Sequence, residues 1–360
     1  MKKIILFLSI LLLSGCYDYV EINNLVIISA MLIDYQNDEY SITSQVIQND
    51  KETEVRVFTT NGKSVDECIS KISNILNKDI FISHMKVLLL TENVIKNNVD
   101  YYNYFLRNAK SKMNYYVYYV DNNYKDKILS IYKDKTASAL YIKDLMKYNH
   151  EIFSSSTPLS FLDLMYKKLN YGIEPIYPNI IITKNNDEEV LYLQGLVAFN
   201  SKKEKILLND KQTIIYNMLS NNLGKTTLNI PCDDKSFSLT INNSKTKYSW
   251  NKTFIFNLSI DSKLGSYSCE YDLNEPDTIS KLSKLSENYI KDNINDVVNI
   301  SVNNKIDFLG IGNYIYKHDK NYFDFDKKDW NNNLSKLNIK NNVNVKITSI
   351  GEMRKWKKIK

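Results

Sequence analysis

Cys16 is the residue whose surroundings most clearly favour covalent chemistry. Lys2 and Lys3 open the chain, and an apolar run from Ile4 to Leu13 follows, interrupted only by Ser9. This order of a charged and then an apolar region is typical of a secretory signal. A helix over the run would reach roughly 15 Å, about half of the hydrocarbon core of a bilayer. The run is therefore too short to be a permanent membrane span.

The residues just before Cys16 fit the cleavage site of such a signal. Ser14 and Gly15 are small, as a signal peptidase requires, and a cysteine stands where the mature chain would begin. This arrangement resembles the bacterial lipobox, in which a diacylglyceryl group is attached to the thiol before cleavage. The alternative is a buried N-terminal helix with an incidental cysteine, which would leave the coincidence of these features unexplained. We expect residues 1–15 to be a lipoprotein signal peptide and Cys16 to carry the lipid, because two acyl chains anchor a protein stably.

The other residues that commonly do chemistry form no catalytic or metal-binding motif. The three histidines are His84, His150 and His318, and their spacing matches no zinc site. Gly224-Lys225 resembles the end of a phosphate-binding loop, but a predicted helix precedes it and a strand follows, the reverse of the order that such a loop requires. We interpret Gly224 as the glycine that ends this helix. The sequence therefore predicts a protein that is not an enzyme and holds no cofactor or metal.

Composition excludes a nucleic-acid partner. The 360 residues carry a net charge of +6, almost all of it from lysine, since only Arg56, Arg107 and Arg354 are arginines. Base readout and specific phosphate recognition favour the guanidinium fork of arginine. The hydrophobic content of 43% is enough for folded domains, and no segment after Cys16 reaches the roughly 18 uninterrupted apolar residues of a membrane span.

Three cysteines follow Cys16 in a chain that we expect to be exported. They are Cys68, Cys232 and Cys269, and an odd number permits at most one disulfide within the chain. A bridge between Cys232 and Cys269 is the favoured pairing, but three buried free thiols agree equally well with the sequence. The sequence alone therefore leaves the disulfide state of these cysteines open.

Hydrophobic periodicity predicts an α/β unit followed by a domain of different character. In the first part, strands are expected at 24–33, 40–48, 55–59, 82–91 and 114–120. Helices are expected between them at 64–77 and 99–109, and after them at 124–132. The pattern from 136 to 171 is helical, with a break at 154–158. The later elements are strands at 179–183, 190–199, 226–230, 237–242, 249–260, 266–270 and 343–347 and helices at 210–221, 278–302, 308–318 and 327–334.

These elements define the expected fold class and domains. We predict an α+β (mixed α/β), multi-domain fold, in which an N-terminal α/β unit is followed by an antiparallel sheet packed with helices. Residues 16–190 would form the N-terminal region, which a break near 136–158 would divide into two subdomains. Residues 191–360 would form the C-terminal domain.

Several stretches, taken in order, resemble the C-subunit lipoproteins of spore germinant receptors, the Ger(x)C family. Residues 14–34 are similar to the family's opening, a lipobox followed by an aromatic-Asp pair and an apolar strand ending in Ile-Asp. Tyr17 departs from this pattern, because tryptophan is usual there. Further resemblances lie in the strand around His84, the glycine-led strand at Gly195, and the C-terminal unit with Asp307-Phe-Leu-Gly310-Ile-Gly312 and Asp329-Trp330.

The resemblance covers nearly the whole chain and implies a role. It implies a three-domain mixed α/β architecture and a non-enzymatic subunit of a nutrient germinant receptor. The implied partners are the A-type and B-type membrane subunits and, through Cys16, membrane lipid, at the outer face of the cell membrane, which is the spore inner membrane. Whether the subunit itself binds the germinant is open. The alternative is a solute-binding lipoprotein that delivers a small ligand to a transporter; it would have two similar α/β lobes, which the second half fits poorly.

Overall fold

The computed structural model describes residues 24–49, 53–109, 111–131, 138–326 and 329–350. These residues form two β-sheets, one of nine strands and one of four, with helices packed against both. The mixed α/β, multi-domain fold expected from the sequence is confirmed, with two domains instead of the three that the family resemblance implied. Cys16 lies outside the described residues.

The elements fall into two groups along the chain. The first sheet consists of β1 (Leu25–Gln36), β2 (Glu39–Asn49), β3 (Thr53–Gly62), β4 (Asp79–Phe81), β5 (Val87–Thr91), β6 (Tyr116–Val120), β7 (Tyr177–Asn185), β8 (Glu188–Phe199) and β9 (Lys205–Leu208). The second consists of β10 (Thr226–Cys232), β11 (Lys235–Trp250), β12 (Thr253–Tyr267) and β13 (Asn338–Ser349). The helices are α1 (Val65–Leu76), α2 (Glu92–Asn97), α3 (Tyr102–Arg107), α4 (Ser138–Ile152), α5 (Phe161–Leu169), α6 (Asp210–Leu219), α7 (Thr278–Asn303), α8 (Ile311–His318), α9 (Lys320–Asp326) and α10 (Trp330–Asn333).

The centre of the first sheet is parallel and its edges are antiparallel. Strands β1, β5, β6 and β7 run in one direction, whereas β2 and β3 on one side and β8 and β9 on the other pair antiparallel. Strands β1 and β5 are almost entirely buried, as expected for parallel strands covered on both faces. Helices α1, α3 and α5 cover one face and α4 covers the other.

Two predicted elements of the first sheet are wrong. The strand expected over 82–91 begins only at Val87, because the amide of Met85 bonds to the carbonyl of Ile82 and closes a turn at 3.0 Å. His84 therefore lies in a turn and not in a strand. The helix expected over 124–132 is a 3₁₀ turn at Asn122–Tyr124 followed by further turns up to residue 131, since its backbone bonds mostly span three residues.

The second sheet is antiparallel except at its last strand. Strands β10, β11 and β12 pair antiparallel, but β13 lies parallel to β12 because α7 and the shorter helices carry the chain back across the sheet. The strand expected over 249–260 is interrupted, since Lys252 has a positive φ of 56° in the turn that joins β11 to β12. Leu282, Ile290 and Ile294 of α7 bury the apolar face of this sheet.

The two sheets share one hydrophobic core at their junction. Leu196, Ala198 and Leu208 of β8 and β9 belong to the first sheet but pack in the same cluster as α6 and the second sheet. The boundary predicted near residue 190 falls within β8, and strands on both sides of the break at 136–158 belong to the first sheet. The junction is therefore a packed interface and not a linker.

A disulfide joins Cys232 to Cys269, and Cys68 is a buried free thiol. Cys232 ends β10, and Cys269 follows β12, with 6.0 Å between their Cα atoms. The pairing that the sequence favoured is the one found. The bridge closes a loop that contains the hairpin of β11 and β12, across a sequence separation of 37 residues.

We predict that replacing both Cys232 and Cys269 by alanine lowers the free energy of unfolding by about 2–4 kcal/mol, because a loop of this length loses its constraint in the unfolded chain. Urea unfolding of the full-length chain, with and without a thiol reductant, measures this. The reductant should destabilise the native chain and leave the double variant unchanged. Equal sensitivity of both proteins to the reductant would contradict the assignment.

Candidate functional site at the junction of the two sheets

Three segments interlock where the two sheets meet, and we call them the clasp: residues 171–174, 307–313 and 330–331. Gly172 has a φ of 66°, and a Cβ added to it would lie 2.4 Å from the backbone carbon of Gly312. Only glycine permits this approach. The amide of Asn313 donates to the carbonyl of Gly172 at 2.7 Å, and its side chain donates to the carbonyl of Tyr171 at 3.0 Å.

Asp307 is the buried carboxyl group at the centre of the clasp. It precedes α8, and its carboxylate accepts hydrogen bonds from the amides of Ile311 (3.0 Å) and Gly312 (2.7 Å) and from the indole of Trp330 (2.9 Å). The first two bonds satisfy amides at the start of the helix, where negative charge is favoured. A Cβ on Gly312 would lie 2.4 Å from the Trp330 ring, so the glycine lets the indole reach the carboxylate.

Glu174 connects the first sheet to Asp307. One of its carboxylate oxygens accepts from the amide of Asp307, and the other accepts from the side-chain amide of Asn331, both at 2.7 Å. The amide of Glu174 donates back to the carbonyl of Asp307 at 3.0 Å. Burial, together with the charge of Glu174, raises the pKa of Asp307 to about 7, and burial raises the pKa of Glu174. The clasp thus holds two buried carboxyl groups that disfavour each other's ionisation.

A second buried contact joins α6 to the loop between α4 and α5. The side-chain amide of Asn217 donates to the carbonyls of Ser154 and Ser156, each at 2.9 Å. Its oxygen accepts from the hydroxyl of Thr157. Asn217 and both serines have no exposed surface. One side chain therefore satisfies a polar loop that would otherwise be costly to bury.

Gly224 lies beside this contact, and its predicted role as the helix-ending glycine is wrong. Helix α6 ends at Leu219, and the residue with a positive φ after it is Asn221, at 58°. A Cβ on Gly224 would lie 2.0 Å from the carbonyl oxygen of His150, and its amide donates to the hydroxyl of Ser154 at 3.0 Å. Glycine is required there because two chain segments pass closely, and not because a helix ends.

A third polar network lies at the carboxyl ends of the parallel strands, where α/β sheets commonly bind ligands. Asp34 accepts from the hydroxyl of Thr91 at 2.6 Å and pairs with Lys125 at 2.7 Å. Burial opposes its ionisation, but these bonds outweigh burial and lower the pKa of Asp34. Burial also opposes the ionisation of nearby Glu92, but hydrogen bonds from Lys96, Tyr119 and Lys205 outweigh it and lower the pKa of Glu92 to about 2. Lys205 bridges Glu92 to Asp121. Because these carboxylates are neutralised by lysines of the same chain, the network ties loops together.

The histidines singled out in the sequence lie apart. His84 is exposed and lies 5.4 Å from the Phe81 ring, whereas His318 stacks on Tyr314 at 3.9 Å. His150 is half-buried, and burial lowers its pKa. Within the described ranges, no group of three or more histidine, cysteine, aspartate or glutamate residues could hold a metal ion. Nor is any helix in this part of the chain long and apolar enough to cross a membrane.

Sequence reasoning found part of the clasp and missed the rest. Asp307, Gly312 and Trp330 belong to the motif that carried the family resemblance. Glu174 and Asn217 have no local pattern that distinguishes them from surface polar residues. Their partners are 133 and 61–63 residues away in the sequence, so only the tertiary structure shows them.

Two family models of spore germination proteins match two successive regions of this chain. Residues 18–182 match a family model described as "Spore germination protein N-terminal domain", and residues 194–351 match "Spore germination B3/ GerAC like, C-terminal". The chain is 21% identical to spore germination protein KC of Bacillus subtilis (strain 168), over 91% of this chain and 89% of that protein. Spore germination protein B3 of the same strain is 30% identical over 35% of this chain and 36% of that protein.

A solved structure has the same fold. The chain aligns with the structure entitled "Crystal Structure of the GerBC protein" with a TM-score of 0.54 and 15% identity, over 88% of this chain and 96% of that one. The two matched regions and this fold place the molecule among two-domain spore germination proteins. The chain belongs to the Ger(x)C family. The clasp joins its two matched regions, since residues 171–174 lie in the first and residues 307–313 and 330–331 in the second.

We predict that Asn217→Ala lowers the free energy of unfolding by about 2–5 kcal/mol, because it leaves the buried carbonyls of Ser154 and Ser156 without donors. Urea unfolding is the measurement. Asn222→Ala, at an exposed position nearby, is the matched control and should cost less than about 0.5 kcal/mol. Similar losses of unfolding free energy in the two variants would show that the hydrogen bonds of Asn217 do not stabilise the fold more than an exposed asparagine does.

We predict that Glu174→Gln makes the protein's stability less dependent on pH. The pKa values of both clasp carboxyls are higher in the folded than in the unfolded chain, so their contribution to stability falls as pH rises from about 4 to about 7. Glutamine removes one charge and keeps both hydrogen bonds if the Asn331 amide reverses, since the side-chain oxygen of Asn331 has no partner within the described residues.

Thermal unfolding between about pH 5 and pH 8 tests this prediction. Relative to the native chain, Glu174→Gln should gain stability at the higher pH, whereas Glu174→Ala should lose stability throughout because it lacks both acceptors. Glu188→Gln, at an exposed position, is the charge-matched control. Parallel pH profiles for the native chain and Glu174→Gln would contradict the proposed coupling.

Proposed function

We propose that this chain is a lipid-anchored, non-enzymatic subunit of a spore nutrient germinant receptor. The observation that carries the proposal is the ordered match of both family regions, over residues 18–182 and 194–351. Relatives named spore germination proteins KC, B3 and A3 support a place in a receptor of several different subunits. The proposed partners are the A-type and B-type membrane subunits.

The proposed anchor is a diacylglyceryl group on Cys16, at the outer face of the cell membrane, which is the spore inner membrane. Ser14 and Gly15 before this cysteine, and the apolar run before them, support cleavage after residue 15. A lipid tether would confine the protein to the membrane plane and so raise its effective concentration for membrane partners. Eight residues separate Cys16 from Leu25 at the start of β1, which limits the reach of the tether to roughly 30 Å.

The structure supports assembly over capture of a solute. A solute-binding lipoprotein would have two similar lobes with a ligand cleft between them. Here the described sheets differ in strand number and direction, and the clasp bonds one part to the other. We therefore favour a role in which the two domains, proposed to divide near residue 190, present one rigid surface to membrane partners.

We predict that spores carrying Cys16→Ala in place of the native gene lose their response to nutrients. The physical reason is loss of membrane confinement, while a germination trigger that bypasses nutrient receptors should still act. Release of dipicolinic acid measures both responses, and Ser14→Ala, which keeps a small residue before the cleavage site, is the matched control. Normal nutrient responses in both Cys16→Ala and whole-gene deletion spores would contradict the receptor role. A response lost only in the deletion would contradict the need for the lipid.

A further inference from the structure

A cavity of about 800 Å³ opens beside the clasp, between the ends of α2 and α5, the β8–β9 turn and α10. Five of its lining residues are lysines: Lys96, Lys167, Lys168, Lys203 and Lys305. Among the described residues, the lining holds two carboxylates, those of Glu174 and Asp329. We call this cavity the basic groove.

Four of the five lysines have no acidic partner within the described part of the chain. Lys96 pairs with Glu92. Lys167 donates to the Tyr216 hydroxyl at 3.1 Å, and Lys168 donates to the Asn98 side chain at 2.7 Å. Lys168 is also half-buried, and burial lowers its pKa against the opposing charge of Asp100. Because these hydrogen-bond partners are neutral, most of the positive charge in the groove is not held in an ion pair.

Lysines near helix C-termini often complement the helix dipole, but this role does not account for the lysines of the basic groove. Lys167 and Lys168 lie in the last turn of α5, and Lys305 follows α7. One carbonyl at each of these helix ends has an asparagine donor, because Asn170 bonds to the carbonyl of Tyr166 at 2.8 Å and Asn304 bonds to that of Ile300 at 2.7 Å. The ammonium groups of Lys167 and Lys168 bond to the side chains of Tyr216 and Asn98 and not to these carbonyls, while Lys203 and Lys305 are exposed.

We propose that the basic groove binds an acidic peptide segment of a partner protein. Lysines outside ion pairs complement a row of carboxylates, and the partly exposed Tyr102 and Phe199 in the lining offer aromatic contacts to its apolar side chains. A small-molecule pocket is instead mostly apolar, with a few fixed polar groups. Lysines from four separate segments, of which Lys203 and Lys305 are exposed, suit an extended, charged chain better. The inference goes beyond the receptor role and holds or fails without it.

The test uses a fluorescein-labelled peptide of alternating glutamate and tyrosine as the probe. Fluorescence anisotropy with the full-length chain measures binding at about 50 mM and about 500 mM NaCl, since screening weakens charge pairing at high salt. The groove variant is Lys203→Gln with Lys305→Gln, because both side chains are exposed. The control is Lys245→Gln with Lys247→Gln, which removes the same charge from an exposed part of β11. Thermal unfolding confirms that all variants fold.

We expect the native chain and the control to bind the peptide at low salt, and the groove variant to bind about tenfold more weakly. High salt should remove most of the difference. No binding below about 100 μM, or equal weakening in the groove and control variants, would overturn the proposal. Complete displacement of the peptide by citrate at matched ionic strength would also overturn it, because the groove would then be a site for small anions.

Discussion

The structure depends on a carboxylate, that of Asp307, that has no contact with water. A buried carboxylate is tolerated only when its hydrogen bonds are satisfied, and Asp307 receives three, from the start of α8 and from Trp330. These donors are reachable only because Gly312 lacks a side chain and Gly172 packs against it. The Asp307 carboxyl group thus fixes the start of α8 and the indole of Trp330. The 171–174 loop is held through the backbone of the same residue, by the two bonds between Glu174 and Asp307.

The clasp and the Asn217 contact together explain why the two sheets form one body. Both contacts are buried and polar, and both join segments far apart in sequence. The shared apolar cluster around β8, β9 and α6 buries hydrophobic surface between the sheets, while the two polar contacts specify one orientation of the sheets relative to each other.

The sequence allowed the fold to be predicted where local pattern decides the structure. The apolar run of β1 and the helical periods of α1 and α7 are clear in the sequence, and most of their residues were placed correctly. The errors fall where side-chain bonds or positive φ angles override the pattern, as at Lys252, Asn221 and the turn after Ile82. The parallel pairing of β13 could not be read either, because strand direction depends on how the intervening helices cross the sheet.

Only the part of the candidate site that comes from the C-terminal motif could be predicted from the sequence. The motif from Asp307 to Gly312 and Trp330 is visible in the sequence, but Glu174, which completes it, is one acidic residue among many. The lysines of the basic groove come from four separate segments, and their convergence follows from tertiary packing alone. Local reading finds motifs that are continuous in sequence and misses sites assembled from the ends of several helices.

Mass spectrometry of the N-terminal peptide, taken from the chain in a spore membrane fraction, tests the central claim that this protein acts from the membrane through a lipid. The lipid-anchor proposal predicts a peptide that begins at Cys16 and carries the mass of a diacylglyceryl group. A peptide that retains residues before Cys16, or one that begins elsewhere with an unmodified cysteine, would contradict it.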